Sequence, residues 1–112
     1  MTKTTVRYEN RRSRQTYTLI CIGHAGYAEE GKDDIVCAGI STLCYTLHNY
    51  LTTLHGEIIF RIEEEKGYLY LEFTNYGAVD LRAIYAFEVI QAGLETLASN
   101  YPHNVSVNVD VI

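Results

Sequence analysis

The sequence predicts an α+β fold, a two-layer sandwich in which two helices cover one face of a mixed or antiparallel sheet. Five segments carry β-prone residues whose apolar and polar side chains alternate, as they do in half-buried strands. Two longer segments repeat their apolar residues every three or four positions, which is typical of amphipathic helices. The segments follow the order β-β-α-β-β-α-β, so one sheet with both helices against it buries every apolar face. We expect a single domain over residues 1–112.

The strands are predicted from their alternation and from the turns between them. The first two run over Thr4–Tyr8 and Thr16–Ile22, joined by a polar turn over Glu9–Gln15. The second strand is apolar on one face and nearly so on the other, so we expect it in the centre of the sheet. Residues 58–73 predict a β-hairpin that turns at 65–67.

The helices are predicted over Ile35–Leu54 and Leu81–Asn100. His55 and Gly56 should close the first helix, since glycine is common just beyond a helix C-terminus. Asp80 can cap the second helix by accepting backbone hydrogen bonds. A regular alternation over Val105–Val111 predicts the last strand. The first helix carries an apolar stripe formed by Val36, Ile40, Leu43, Leu47, Tyr50, Leu51 and Leu54.

Composition and charge disfavour several classes of protein. The net charge of −5 disfavours general nucleic-acid binding, which requires a basic surface. No apolar run is long enough to span a membrane, and the first residues lack the apolar region of a signal peptide. Three cysteines, an odd number, fit reduced thiols better than a disulfide framework. We therefore expect a cytoplasmic protein with neither a membrane nor a nucleic acid as a direct partner.

The stretch over residues 23–41 carries the side chains best suited to chemistry. His24 comes directly after the second predicted strand, and Cys37 lies in the first turn of the first helix. Asp33 and Asp34 stand where a helix N-cap is expected. The unpaired N–H groups of the first turn and the helix dipole favour a thiolate there. If the intervening loop folds back, His24 can accept the thiol proton, which is what a cysteine nucleophile requires.

Other interpretations of these residues carry no catalysis. A buried cysteine is a common small apolar core residue, so position alone does not make Cys37 a nucleophile. Cys37 and Cys44 stand roughly 10 Å apart along the helix and cannot share one tetrahedral metal ion. Cys44 and His48 could share an ion, but the sequence offers no second pair of ligands. We predict neither a metal nor a cofactor.

The sequence resembles the ribosomal-processing cysteine protease Prp family in two short motifs, Gly23-His24-Ala25 and Asp34-Ile35-Val36-Cys37-Ala38-Gly39-Ile40-Ser41, which stand in that order. The resemblance implies that Cys37 is the nucleophile and His24 its base, with Asp34 orienting or supporting them. The loop before the helix is one residue longer than is usual in the family. Asp33 is therefore a rival for the acidic role.

The resemblance also implies a compact α+β domain, a homodimer and a substrate. The substrate would be the N-terminal extension of a large-subunit ribosomal protein, which a cysteine endopeptidase removes. Backbone N–H groups near Cys37 and Ala38 would stabilise the oxyanion. The candidate substrate-binding residues are Gly26, Tyr27, Ala38 and Ser41. Two alternatives stay open: a prophage-borne homologue that processes a capsid protein, and a non-catalytic dimeric binding module.

Overall fold

The computed structural model describes residues 1–12, 14–29, 32–54, 58–76 and 80–112. It contains a mixed sheet and two helices in the predicted order, which confirms the α+β class. Its elements are β1 (Thr2–Arg11), β2 (Arg14–Ile22), α1 (Ile35–Leu51), β3 (Ile58–Glu65), β4 (Tyr68–Tyr76), α2 (Leu81–Asn100) and β5 (Val105–Val111).

The sheet has the strand order β3-β4-β2-β1-β5, with β2 in the centre as its two apolar faces predict. The pairs β1–β2, β2–β4 and β3–β4 are antiparallel. The last strand, β5, instead lies parallel to β1, with Thr2 opposite Val105 and Val6 opposite Val109. The start of β1 therefore lies beside the start of β5, whereas Ile112 lies near the far end of β1, where its N–H donates to the Tyr8 carbonyl.

The core lies between one face of the sheet and both helices. Leu19 faces Val6 on one side and Leu71 on the other, and all three side chains are fully buried. Apolar side chains of the helices close this face, as predicted. The buried helical residues are Val36, Ile40, Cys44, Leu47 and Leu51 of α1, and Ala83, Phe87, Ile90 and Leu94 of α2. 

The opposite face of the sheet carries the polar side chains that alternate with the core residues. Arg61 and Glu72 lie opposite each other on β3 and β4, and the Arg61 guanidinium lies 5.0 Å from the centre of the Tyr70 ring. Tyr68 and Tyr70 on this face are half-buried. Tyr70 therefore packs within a layer of long polar side chains.

Several predicted boundaries differ from the structure. The turn predicted over Glu9–Gln15 is shorter, because β1 and β2 continue pairing to Arg11 and Arg14. Backbone hydrogen bonds do not depend on side-chain polarity, so a polar strand end resembles a loop in sequence. α1 ends at Leu51 with Thr52 as its C-cap, whereas the predicted stop at Gly56 lies outside the described residues.

The apolar stripe of α1 also needs one correction. Tyr50 was predicted in the core but is 40% exposed, while Cys44 is fully buried. The Cys44 sulfur lies 3.9 Å from that of Cys21 on β2, so the small side chain fits where helix and sheet approach closely. Within the described residues, neither helix combines the length and the apolarity that crossing a bilayer requires.

Candidate active site

The end of β2 directs His24 out of the sheet. The Gly23 N–H donates to the Gly67 carbonyl at 2.8 Å, which joins the end of β2 to the turn between β3 and β4. Gly23 has φ +94°, and a Cβ atom there would lie 2.6 Å from the Met1 carbonyl oxygen. Only glycine combines this conformation with this close approach. The next residue, His24, consequently leaves the strand as an exposed side chain.

Asp34 caps α1 and fixes the backbone around Cys37. Its Oδ1 atom accepts hydrogen bonds from the N–H groups of Val36 and Cys37, each at 3.0 Å. Its Oδ2 atom accepts from Tyr27 at 3.0 Å and from Ala28 at 3.3 Å, so one carboxylate joins the loop to the helix. Asp34, rather than the exposed Asp33, therefore occupies the capping position.

The hydrogen bonds to Asp34 keep it ionised. Burial raises the pKa of this carboxyl, but the N–H groups of Cys37, Ala28, Tyr27 and Val36 outweigh that effect, and the pKa of Asp34 lies below its ordinary value. The negative charge also lies at the helix N-terminus, where the helix dipole stabilises it.

The loop brings Ala25 against Cys37. The Ala25 N–H points at the Cys37 sulfur, with 3.3 Å between the nitrogen and sulfur atoms, and Ala25 itself is 1% exposed. The Ala25 carbonyl accepts a hydrogen bond from the side-chain amide of Asn104 at 3.0 Å. The Ala25 peptide therefore supplies a hydrogen-bond donor directly beside the sulfur.

A cavity of about 240 Å³ is lined by two of the three predicted catalytic residues, while Asp34 is not among the described residues that line it. His24 and Cys37 both line it, together with Ser41 one turn further along α1. The β3–β4 turn and the strand ends beside it, residues 64–69, form another wall of the cavity. His24 lies close to this wall: a Cβ atom at Gly67 would come within 3.2 Å of its Nε2 atom.

The structure distributes the predicted substrate-binding residues unevenly. Of the four, only Ser41 is among the described residues that line the cavity. The Tyr27 ring instead packs edge-on against Tyr101, with 5.4 Å between the ring centres. The Ala38 N–H donates to the Asp34 carbonyl, and the Cys37 N–H to its carboxylate. Both predicted oxyanion donors are therefore engaged within the helix cap, and Ala25 supplies the backbone donor next to the sulfur.

Comparison with known proteins identifies the family. The sequence profile of the cysteine protease Prp family matches residues 1–106. The chain belongs to this family.

Two curated relatives of the Prp family have similar lengths. The ribosomal processing cysteine protease Prp of Bacillus subtilis (strain 168) is 34% identical over 93 residues, which cover 80% of this chain and 82% of the relative. The protein of the same name from Mycoplasma genitalium is 32% identical over 100 residues, covering 80% and 85%.

Solved structures share the fold of this Prp-family chain. The ribosomal processing protease Prp of Staphylococcus aureus, crystallised with a covalently linked product peptide, superposes with a TM-score of 0.74 at 24% identity. That match covers 97% of this chain and 99% of the other. SMU.848 of Streptococcus mutans gives a TM-score of 0.71 at 27% identity and covers 100% and 96%.

A cysteine protease of the Prp family needs an accessible thiol, and the three cysteines differ in this respect. Cys37 is partly exposed, whereas Cys21 and Cys44 are 5% and 0% exposed. The contact with Cys21 and burial both raise the pKa of the Cys44 thiol, so it stays protonated. Among the described residues, no three His, Cys, Asp or Glu side chains are grouped as metal ligands.

The sequence analysis did not identify the residues that lie far from His24 and Cys37 in sequence but contact the loop or line the cavity of this Prp-family site. Thr2 and Asn104 contact the loop on either side of His24, and Glu64, Glu65 and Gly67 belong to the cavity wall. Glu65 and Gly67 had a sequence signal, since both were predicted in the turn over residues 65–67. Thr2, Glu64 and Asn104 carry no local pattern that points to the site, because their positions depend on strand order.

Proposed function

We propose that this protein is a cysteine endopeptidase whose nucleophile is Cys37 and whose general base is His24. One observation carries the assignment: the Ala25 N–H points at the Cys37 sulfur in the cavity that His24 also lines. A thiol that is held by a backbone donor, in a cavity that an imidazole also lines, is suited to nucleophilic attack. Asp34 supports the nucleophile through the backbone by holding the first turn of α1.

The proposed reaction proceeds through a thioester. His24 accepts the Cys37 proton, the thiolate attacks the scissile carbonyl carbon, and a tetrahedral oxyanion forms. The C–N bond then breaks as His24 returns the proton to the leaving amine. Water, activated by His24, hydrolyses the thioester and releases the second product with the free thiol. Because the Ala25 N–H lies next to the sulfur, it is the donor best placed to stabilise the oxyanion.

The proposed substrate is the N-terminal extension of a large-subunit ribosomal protein. The names of the curated relatives support it, since the two proteins at 34% and 32% identity are named ribosomal processing proteases. The protein would act in the cytoplasm, where ribosomes assemble, as one domain that associates into a homodimer. The net charge of −5 fits a protease that binds a basic protein segment rather than the nucleic acid itself.

Cleavage of the unprocessed ribosomal protein tests this function. We expect the parent protein to remove the extension, Cys37→Ser to lose at least about 10³-fold in kcat/KM, and His24→Ala to lose activity by a similar factor. His103→Ala is the matched control, since His103 is also an exposed histidine and lies outside the cavity lining. Mass spectrometry of the products gives the cut position.

Two results would contradict the assignment. Cleavage by Cys37→Ser at the parent rate would exclude Cys37 as the nucleophile. If the parent protein leaves the ribosomal precursor intact but cuts a phage capsid protein, the proposed substrate is wrong, while the proposed catalytic mechanism stands.

Light scattering coupled to size-exclusion chromatography measures the oligomeric state in the same samples and tests the proposed homodimer.

A further inference from the structure

Asn104, the residue just before β5, makes three hydrogen bonds, and its side chain contacts the loop that carries His24. The Asn104 N–H donates to the Tyr101 carbonyl, and its carbonyl accepts from the Thr2 N–H, each at 2.9 Å. With its backbone fixed, the side-chain amide donates to the Ala25 carbonyl at 3.0 Å. This contact joins residues 79 positions apart in sequence. It ties the C-terminal strand to the candidate active site.

Ala25 depends on such contacts for its orientation. The segment 23–26 lies outside the strands and helices, and two of its four residues, Gly23 and Gly26, have positive φ. A segment of this kind has few conformational restraints of its own. Its restraints come from outside: the Thr2 hydroxyl donates to the Gly23 carbonyl at 3.1 Å, and Asn104 donates to the Ala25 carbonyl.

The orientation of Ala25 matters because its N–H group points at the Cys37 sulfur. Rotation of this peptide would remove the donor from the sulfur and from any oxyanion formed beside it. Asn104 is not among the described residues that line the cavity, so it reaches the sulfur only through Ala25. Ala25 is 1% exposed, so water has little access to replace a lost donor to its carbonyl.

We propose that Asn104 is a positioning residue that orients the Ala25 peptide toward the Cys37 sulfur. The inference rests on the proposed role of Cys37 as the nucleophile. Asn104 acts on the reactivity of the thiol and on the catalytic step, and it does so without contact with the substrate. The effect should therefore appear in kcat, while KM stays near the parent value.

Two substitutions remove the donor in different ways. Asn104→Ser shortens the side chain so that it no longer reaches Ala25 and adds no charge. Asn104→Asp keeps the shape but places a carboxylate oxygen against the Ala25 carbonyl. Asn108→Asp is the matched control: the same change in the neighbouring strand β5, at an exposed side chain whose amide contacts Asp110 at 3.3 Å. Together they separate loss of the donor from addition of a charge.

The first readout is alkylation of Cys37 by iodoacetamide, followed by mass spectrometry between pH 5 and pH 10. We expect both Asn104 variants to react roughly tenfold more slowly at pH 7, with their pH profiles moved to higher pH. Asn108→Asp should keep the parent profile. Protection of the buried Cys21 and Cys44 in the same spectra verifies that each variant is folded.

Peptide cleavage by the same variants gives the second readout, with the loss expected in kcat. A folded Asn104→Ser variant with the parent alkylation profile and the parent kcat would overturn the inference. If Cys21 and Cys44 become reactive toward iodoacetamide in Asn104→Ser, that variant is unfolded and Asn104→Asp is used instead. A folded Asn104→Asp variant with the parent alkylation profile and the parent kcat would then overturn the inference. If the parent cleaves no peptide while Cys37 alkylation still depends on Asn104, the proposed function fails and the positioning role stands.

Discussion

At the scale of single residues, the carboxylate of Asp34 organises the site. Four backbone N–H groups, two from the loop and two from the first turn of α1, converge on its two oxygens. A helix cap of this kind stabilises the fold and at the same time sets where the helix begins. Since Cys37 is three residues further on, the cap also sets the position of its sulfur.

Asp34→Asn tests this role. We expect the free energy of unfolding to fall by about 1 kcal/mol at pH 7, since the amide offers fewer acceptor sites for four donors. The lowered pKa of Asp34 means that its charge stabilises the folded state above the unfolded-chain value of about 3.9, and that this contribution is lost as pH falls through the lower folded pKa. The variant should therefore show a flatter loss of stability below about pH 4.

Urea denaturation at several pH values measures both effects. Asp33→Asn is the matched control, because Asp33 is exposed and Asp34 occupies the N-cap position. Equal losses of stability in the two variants would show that removal of charge near the helix N-terminus, rather than the hydrogen-bonded cap, accounts for the effect.

At the scale of elements, the β3–β4 turn supports His24. Gly67 has φ +74°, its carbonyl accepts from the Gly23 N–H, and its α-carbon faces the His24 ring. The turn therefore serves as a wall of the cavity and as a support for the end of β2. Both functions require a residue without a side chain at position 67.

Gly67→Ala should reduce both the stability of the fold and the rate of peptide cleavage. We expect a loss of about 1–2 kcal/mol in folding free energy from the left-handed conformation. Because the added methyl carbon would lie 3.2 Å from the His24 Nε2 atom, the ring must move, and kcat/KM should fall by roughly tenfold or more. Thermal unfolding and cleavage kinetics measure the two effects.

Gly39→Ala is the control for that substitution. Gly39 lies in α1, and a Cβ atom there would meet only the Leu97 methyl carbons at 3.4 Å, an ordinary contact. We expect this variant to be up to about 1 kcal/mol more stable, since alanine favours a helix over glycine. A Gly67→Ala variant with parent kcat/KM would contradict the support role of the turn.

The helices and strands were largely predictable from the sequence, whereas their exact ends and some of their packing contacts were not. The alternation of strand residues and the three-to-four spacing of helix residues record which face is buried, so the element order and the central place of β2 followed from the sequence. Polar strand ends such as Asn10–Arg11 were missed, because their pairing uses backbone groups alone. Burial of Cys44 in place of Tyr50 depended on how closely α1 approaches β2.

The same distinction holds for the site. His24, Cys37 and Asp34 lie within one short stretch, so local patterns and the family resemblance identified them. The parallel pairing of β5 with β1 has no local signature, since parallel and antiparallel strands alternate alike. Thr2 and Asn104 reach the loop only because of that pairing, which is why sequence analysis alone could not place them.

At the scale of the whole molecule, the three cysteines report on different levels of unfolding. Cys37 is partly exposed in the folded state, while Cys21 and Cys44 are in the core. We expect iodoacetamide to modify Cys37 in native buffer and to modify the other two only as urea unfolds the sheet. The contact with Cys21 and burial raise the pKa of Cys44, which slows its reaction further.

Mass spectrometry of pulse-alkylated samples along a urea titration follows this order. Cys21 and Cys44 should become reactive together at the midpoint that circular dichroism gives, because both sulfurs belong to one core. Modification of Cys44 well before global unfolding would contradict the packing of α1 on β2.

Tyr8, which packs against the rings of Tyr17 and Phe87, makes the stability of the fold depend on pH in the alkaline range. Burial raises the pKa of Tyr8 to about 12, with the negative charge of Glu88 as a further cause, and its hydroxyl donates to Gln91. A raised folded pKa means that this contribution is complete below the unfolded value of about 10 and is lost as pH rises through about 12.

Tyr8→Phe should remove this dependence while keeping the ring contacts with Tyr17 and Phe87. We expect a loss of about 1 kcal/mol at pH 7 from the missing hydrogen bond, and a smaller further loss above pH 10 than in the parent. Tyr85→Phe, at a tyrosine that is 58% exposed on α2, is the control. Denaturation curves at pH 7 and pH 11 decide the outcome, and parallel pH dependence in all three proteins would contradict it.

The parallel pairing of β5 with β1 has a consequence for synthesis on the ribosome. A nascent chain that has emerged only as far as α2 already contains His24 and Cys37, but it lacks Asn104 and the strand that lies beside β1. The loop before α1 consequently lacks the hydrogen bond from Asn104 to the Ala25 carbonyl until β5 is translated and released. We expect the enzyme to mature only after translation has passed β5, so that an unfinished chain does not cleave proteins at the ribosome on which it is being made.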